Sequence, residues 1–228
     1  YKLDVEYKNV FSATNHTSPE IIFAVPYDEI YGHGSQLHMK TLDPLSRLVY
    51  TMAAGPWGGN CAVPQFIDSY DVEDQRLYDS WIQGPQYHAM TGDLVITYTK
   101  EVPGIGGDGT IAASNAGYRI GKYAVKKGST NNLDNDYPMF RYADILMMKA
   151  ESLLRTGRAI EAAALVSDVR ARAFRNNPDK AVVTGAQLNS GSTYNYGLQN
   201  KDGGVNSTNG GADIQYGRFL DELGWEFT

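Results

Sequence analysis

The residues best equipped for chemistry lie in loops. Trp57 sits in Pro56-Trp57-Gly58-Gly59-Asn60, where the glycines leave its ring unshielded by neighbouring side chains. An electron-rich ring face stacks on the C–H face of a sugar. Asn60 offers both a donor and an acceptor, which suits vicinal hydroxyls. The indole could equally plug a gap between loops. Tyr31, before Gly32-His33-Gly34, is a second aromatic candidate, or else a packed loop tyrosine. Tyr194 and Tyr196, flanking Asn195, are a third. His33 and His38 with Asp28 and Glu29 have a loose metal-ligand look, but their spacing fits no zinc pattern. Asp68, Asp71, Asp74 and Asp79 make a carboxylate-rich stretch. A glycosidase needs two carboxylates facing each other across about 5–9 Å, which sequence spacing does not test. No serine motif marks a nucleophile. The run Gly104-Ile105-Gly106-Gly107-Asp108-Gly109 lacks the strand-to-helix context of a phosphate cradle. Arg170, Arg172 and Arg175 read as a solvated or ion-paired helix face.

Composition narrows the partners. A net charge of −6 over 228 residues argues against nucleic acid, which wants a basic face. No apolar run approaches the roughly 18 residues needed to cross a bilayer. No signal-peptide pattern opens the chain, so an export signal or lipid anchor is expected outside it. Cys61 is the single cysteine, so no disulfide forms within the chain. The 24 glycines and 16 tyrosines, beside 7 phenylalanines, suit either loops that recognise polar ligands or tyrosines half-buried under those loops.

The elements that must hold these loops centre on Phe140 to Ala173. Ala143, Leu146, Met147, Ala150, Leu153, Leu154 and Gly157 repeat with the period of one buried helix face. Gly157 can take the left-handed conformation that ends a helix. A second run, Ala162, Leu165, Val166, Val169 and Ala173, predicts an antiparallel partner. Upstream, Val5, Tyr7, Val10 and Phe11 could line a helical face, and Ile21 to Val25 reads as a buried strand or an extended segment under the helices. Residues 26–40 read as a loop. Leu42 to Met52 reads as helix with Leu45, Leu48 and Val49 inward, Pro64 to Tyr70 as a short helix, and Tyr78 to Ile82 as extended. Leu94 to Val102 and Tyr118 to Val125 alternate like strands, joined into a loose hairpin by Gly104 to Gly117. Asn176 to Gly211 predicts a long polar loop. Asp213 is a fair N-cap for a last helix with Ile214, Phe219, Leu220, Leu223 and Phe227.

Several of these stretches resemble the SusD/RagB family. Glu20 to Val25 is similar to a characteristic apolar segment of that family. Gly117 to Tyr123 is similar to its strand before the signature helices. Tyr137 to Glu151 resembles its most recognisable motif, and Val169 to Ala173 the close of the next helix. Phe219 to Phe227 resembles its final helix more loosely, because Leu220-Asp221 replaces the usual Glu-Arg. The resemblance implies a mainly α fold with long loops and a small β-hairpin, containing a TPR-like helix hairpin. Residues 1–228 would be the C-terminal portion of a single SusD-like domain, truncated at both ends. It implies a non-catalytic outer-membrane lipoprotein of Bacteroidetes-type bacteria, exposed at the cell surface. Such a protein hands an oligosaccharide or other nutrient to a SusC-like TonB-dependent transporter. Trp57, Asn60 and Tyr31 would then contact ligand, and Tyr194 and Tyr196 either ligand or transporter. No cofactor is implied beyond a structural calcium of the kind the family sometimes binds, for which no ligands are assigned. A TPR-like protein–protein scaffold is the alternative, and a glycoside hydrolase fragment a remote one.

Overall fold

The computed structural model describes residues 1–102, 114–194 and 211–228. Its first third is built from short pieces. A 3-10 turn at Tyr7–Phe11 buries Tyr7, Val10 and Phe11, while Val5 stays exposed. Strand β1 (Ile21–Val25) follows, then α1 (Leu37–Thr41), α2 (Ser46–Tyr50), α3 (Pro64–Ser69) and α4 (Gln75–Ser80). The expected loop at 26–40 thus runs into α1. Leu45 precedes α2 and is exposed rather than inward. Pro64 opens α3, a position where its missing N–H costs nothing. Asp74 caps α4 by accepting the Arg76 N–H at 2.9 Å. That cap keeps Tyr78 to Ser80 helical, and only Trp81–Ile82 is extended, as β2.

Strands β3 (Gly84–Tyr87), β4 (Leu94–Tyr98), β5 (Arg119–Ile120) and β6 (Tyr137–Arg141) complete three separate two-stranded pairs. The expected hairpin between Leu94–Val102 and Tyr118–Val125 does not form. β4 pairs with β3, which is close in sequence, and β5 pairs with β2. Most of the expected Gly104 to Gly117 connection lies outside the described residues. β1 pairs antiparallel with β6, with Phe23 opposite Phe140 and Val25 opposite Tyr137. β1 is therefore a strand but not a buried one: Phe23 is 58% exposed.

The helix hairpin is α5 (Tyr142–Arg155) and α6 (Ala159–Ala171). Ala143, Ala150 and Ala162 are fully buried between them, and their small side chains let the axes approach. Met147, Leu153, Leu154, Val166 and Val169 fill the rest of that core. Gly157 has φ +79°, the Arg158 N–H donates to the Leu153 carbonyl at 2.8 Å, and the Gly157 N–H to that of Leu154 at 3.1 Å. This is a Schellman cap. The hairpin is covered by α7 (Gly185–Asn189) through Leu188 and by α8 (Gly217–Phe227) through Phe219. The expected polar loop at Asn176 to Gly211 thus contains a helix and a 3-10 turn in its described part. Asp213 closes a 3-10 turn instead of capping α8, which starts after Tyr216 in a left-handed conformation.

A buried ion network joins these elements. The Glu226 carboxylate on α8 accepts Arg141 Nη1 and Arg172 Nη2, each at 2.5 Å, and meets Arg76 at 3.3 Å. Glu20, just before β1, accepts Arg141 at 3.1 Å and also binds Arg172. Glu222 binds Arg170 and Arg218, each at 2.6 Å. Burial alone would raise the Glu226 carboxyl, but the guanidiniums of Arg172, Arg141 and Arg76 more than reverse that and hold it at about 2. Arg170 and Arg172 are thus ion-paired but not solvated. Only Arg175 keeps to the surface, paired with Glu6 at 3.0 Å.

Candidate functional site

Two of the candidate residues, Trp57 and Asn60, sit against α1, which is pinned by its buried His38, Met39 and Thr41. Carbonyls at its end hold the tryptophan loop. The Trp57 N–H donates to Met39 O at 2.7 Å, Gly58 to Leu42 O at 2.9 Å and Asn60 to Lys40 O at 3.1 Å. Thr41 Oγ1 returns a bond to the Asn60 carbonyl at 2.8 Å. The loop can turn this sharply because Gly58 takes φ +70°. Its backbone is fixed while its side chains are free. Trp57 is 55% exposed, and the exposed Asn60 amide makes no hydrogen bond among the described residues.

Beside the same helix lies a groove of 180 Å³, lined by Tyr27, Gly34, Ser35, Gln36, Leu37, Lys40, Tyr123 and Tyr137. Side-chain acceptors staple its outer loop in place. The Tyr27 N–H donates to Asp136 at 3.0 Å, Glu29 to Asp134 at 2.9 Å and Gly34 to Asn132 at 3.1 Å. Lys126 bridges Glu29, at 2.7 Å, and Asp134. Tyr123 and Tyr137 stack with centroids 5.9 Å apart and planes 11° from parallel. A side chain at Gly34 would come within 2.7 Å of the Tyr27 ring, so the glycine lets that ring lie against the backbone. Past Tyr123 and Tyr137 a second depression of 430 Å³ runs toward Lys122, Asp144 and Phe227.

The remaining candidates scatter. Tyr31 is 90% exposed at the tip of a turn in which Asp28 accepts the Ile30 and Tyr31 N–H groups at 2.8 and 2.7 Å. That turn leads into the groove wall. Tyr194 instead meets Phe66 of α3 edge-on at 6.2 Å, and it does not line the groove. Tyr196 lies outside the described residues. His38 is buried, with Nε2 bonded to Thr130 O at 2.9 Å, and burial lowers its pKa. It is spent on the fold and does not join His33. Among the described residues no three His, Cys, Asp or Glu side chains are placed to hold a metal.

The aspartates also have partners. Asp74 is buried on Arg76 at 2.7 Å, Asp71 holds Lys180 at 2.8 Å and Asp68 holds Lys100 at 2.6 Å. Asp79 accepts from Gln75 at 3.1 Å, and burial pushes its carboxyl up. It borders a charged cleft of 550 Å³ with Glu6, Glu73, Arg172 and Arg175, a cleft with no exposed aromatic shelf. The reading by residue type passed over Tyr27, Tyr123, Tyr137 and Lys40 as site residues. The count of tyrosines hinted at such a surface, but nothing local to each one says that they converge.

The sequence matches the SusD family profile over residues 19–192. No match is found among curated proteins. Solved structures with the same fold include a SusD superfamily protein from Bacteroides fragilis, with TM-score 0.61 and 18% identity, covering 100% of this chain and 42% of that one. Another is B. fragilis NanU, with TM-score 0.60 and 18% identity, covering 100% of this chain and 44% of that one. A third is the surface glycan-binding protein A of Bacteroides thetaiotaomicron in complex with laminarihexaose, with TM-score 0.56 and 18% identity, covering 79% of this chain and 43% of that one. The chain spans less than half the length of these structures. Among the described residues no helix is long and apolar enough to cross a membrane.

Proposed function

This chain belongs to the SusD family, and on that footing we propose that it captures glycans without catalysis and passes them to a TonB-dependent transporter. In this reading the protein is a lipid-anchored component of the outer-membrane surface. The observation that carries the reading is the aromatic surface around α1. Trp57 stands 55% exposed on a hydrogen-bonded loop, and three tyrosines wall the adjoining groove. Such rings stack on sugar faces, while Asn60 and Gln36 offer paired donors and acceptors to hydroxyls. That one structural relative holds laminarihexaose is consistent with this use of the fold.

Calorimetric titration with a panel of oligosaccharides tests it. Trp57→Ala should weaken binding by about 1–3 kcal/mol if the indole is a central anchor. Unchanged affinity would remove Trp57 from the site, and a panel that binds nowhere would remove the glycan reading. Co-purification with a TonB-dependent transporter from outer membranes tests the delivery step.

A second reading, a scaffold for protein contact, has its own observation. Phe23 and Phe140, paired across β1 and β6, and Ile145 and Met148, three apart on α5, are each 43–58% exposed. A chain that ignores every sugar but captures a protein through this face would favour it.

A further inference from the structure

We infer that the tyrosine-walled groove selects an anionic glycan, one carrying a carboxylate or sulfate that Lys40 meets. The inference rests on the glycan reading above and names the class of sugar. Of the eight residues lining the 180 Å³ groove, Lys40 alone is charged. Its ammonium makes no ion pair among the described residues, unlike those of Lys8, Lys100, Lys126 and Lys180, and of the other unpaired lysines, Lys2, Lys122, Lys127 and Lys149, none lines this groove. The contrast with Lys126 is the informative one. Lys126 is held by both Glu29 and Asp134 of the stapled loop. The groove lining itself thus carries one unpaired cation and no carboxylate.

The position of Lys40 is also fixed. Its carbonyl holds Asn60, and its N–H donates to Gln36 O at 3.3 Å. The stem therefore starts from a set point between the tryptophan loop and the tyrosines. The charged groups of the adjoining depression, Lys122, Arg141 and Asp144, are each bonded within the fold. There Lys122 is turned onto the Glu226 and Thr228 carbonyls, at 3.3 and 2.7 Å, and Arg141 onto Glu226. On a protein of net charge −6, which repels acidic polymers in general, one open cation between aromatic faces gives an acidic sugar a preferred register. A lysine rather than an arginine suits either anion, because the ammonium acts as a compact point charge on a flexible stem. The pair is solvent-exposed, so the preference is moderate and sensitive to salt.

The full chain is titrated with three oligosaccharides of equal length: a galacturonate, a sulfated galactan fragment and a neutral galactan fragment. The expected result is tighter binding of one or both acidic sugars, with the arm that binds identifying carboxylate or sulfate. Lys40→Gln should weaken the acidic arm by roughly two- to fivefold and leave the neutral arm unchanged. Raising salt from about 50 to about 300 mM should weaken the acidic arm in the parent chain and have little effect in the variant. Tyr137→Ala should weaken all arms. If the neutral sugar binds as well as the acidic ones, or Lys40→Gln moves neither, the anionic preference is wrong while the glycan reading stands. If no arm binds while another oligosaccharide of the wider panel does, the anionic preference falls and the glycan reading stands; if nothing in that panel binds, both fall.

Discussion

At the scale of single residues, the same side-chain type has opposite fates that only the fold decides. Trp57 is open because its neighbours are glycines and its backbone is held from below by α1. The Pro-Trp-Gly-Gly run points to that opening but equally allows a ring that plugs a gap, and the fold decides between them. The fates of Arg170 and Arg172 were not readable from the sequence. They lie on a polar-looking face at the end of α6, and their burial depends on Glu20, Glu222 and Glu226 arriving from distant parts of the chain. Glu226 is the residue with most at stake. Its carboxylate faces Arg141, Arg172 and Arg76, all buried. Replacing it with glutamine keeps the volume but leaves those guanidiniums short of countercharge. Breaking a buried pair in this way costs about 3–5 kcal/mol. Urea unfolding of Glu226→Gln should show a loss of that order. A loss under about 1 kcal/mol, the size of an exposed pair, would mean that the remaining acids compensate. By contrast Glu151→Ala, which breaks an exposed pair with Arg155, should change stability by about 0.5 kcal/mol or less.

At the scale of elements, the helix hairpin was legible because its signal is local. A 3.6-residue apolar period over two runs, broken by one glycine, leaves few alternatives. Strand pairing was not legible. Alternation in β4 and around β5 shows that each is extended but carries no record of its partner. β4 took β3, across a short connection, and β5 took β2. The site inherits the same split. The Trp57 loop and the Tyr31 turn are local features, whereas the tyrosine groove needs Tyr27, Tyr123 and Tyr137 from three separate segments. One prediction belongs to the hairpin turn. Gly157 sits at φ +79° with nothing within 4 Å of where a Cβ would stand, so its requirement is purely conformational. Gly157→Ala should cost about 1–2 kcal/mol from left-handed strain alone, a fall of about 2–8 °C in Tm for a chain of this size. Gly157→Asn should recover part of it, because Asn tolerates that conformation. Equal losses for the two would point to a lost contact instead.

At the scale of the whole molecule, several separate apolar clusters are joined less by a continuous core than by the shared acids between them. The aromatic cluster around Trp81 and Trp225 and the alanine-lined cluster of α5 and α6 are distinct. Glu226, Glu222 and Glu20 tie α8 and the start of β1 to α4, β6 and α6. Acid should therefore act on the molecule as a unit. The Glu226 carboxyl is depressed to about 2 in the fold, and that of Glu222 is lowered too, by Arg170, Arg218 and Arg76 acting against burial. A carboxyl depressed on folding contributes stability that is present above its ordinary value of 4.5 and lost as pH falls from there toward 2. Asp79 and Asp144, raised by burial, act with the opposite sign, since the fold favours their protonated forms. They are only partly buried and lie outside the densest part of the network, so the glutamates set the slope. Stability measured by urea titration should thus fall steadily below about pH 4.5. Far-UV circular dichroism and the fluorescence of the buried Trp81 and Trp225 should follow the same curve, since Arg76 lies on α4, which runs directly into Trp81, and Glu226 adjoins Trp225 on α8. Added salt should shift that curve little, because buried pairs are poorly screened. In Glu226→Gln the acid limb should flatten. A parent protein whose stability is level between pH 5 and 3, or whose tryptophans report unfolding well before its helices do, would show that the network does not couple the clusters.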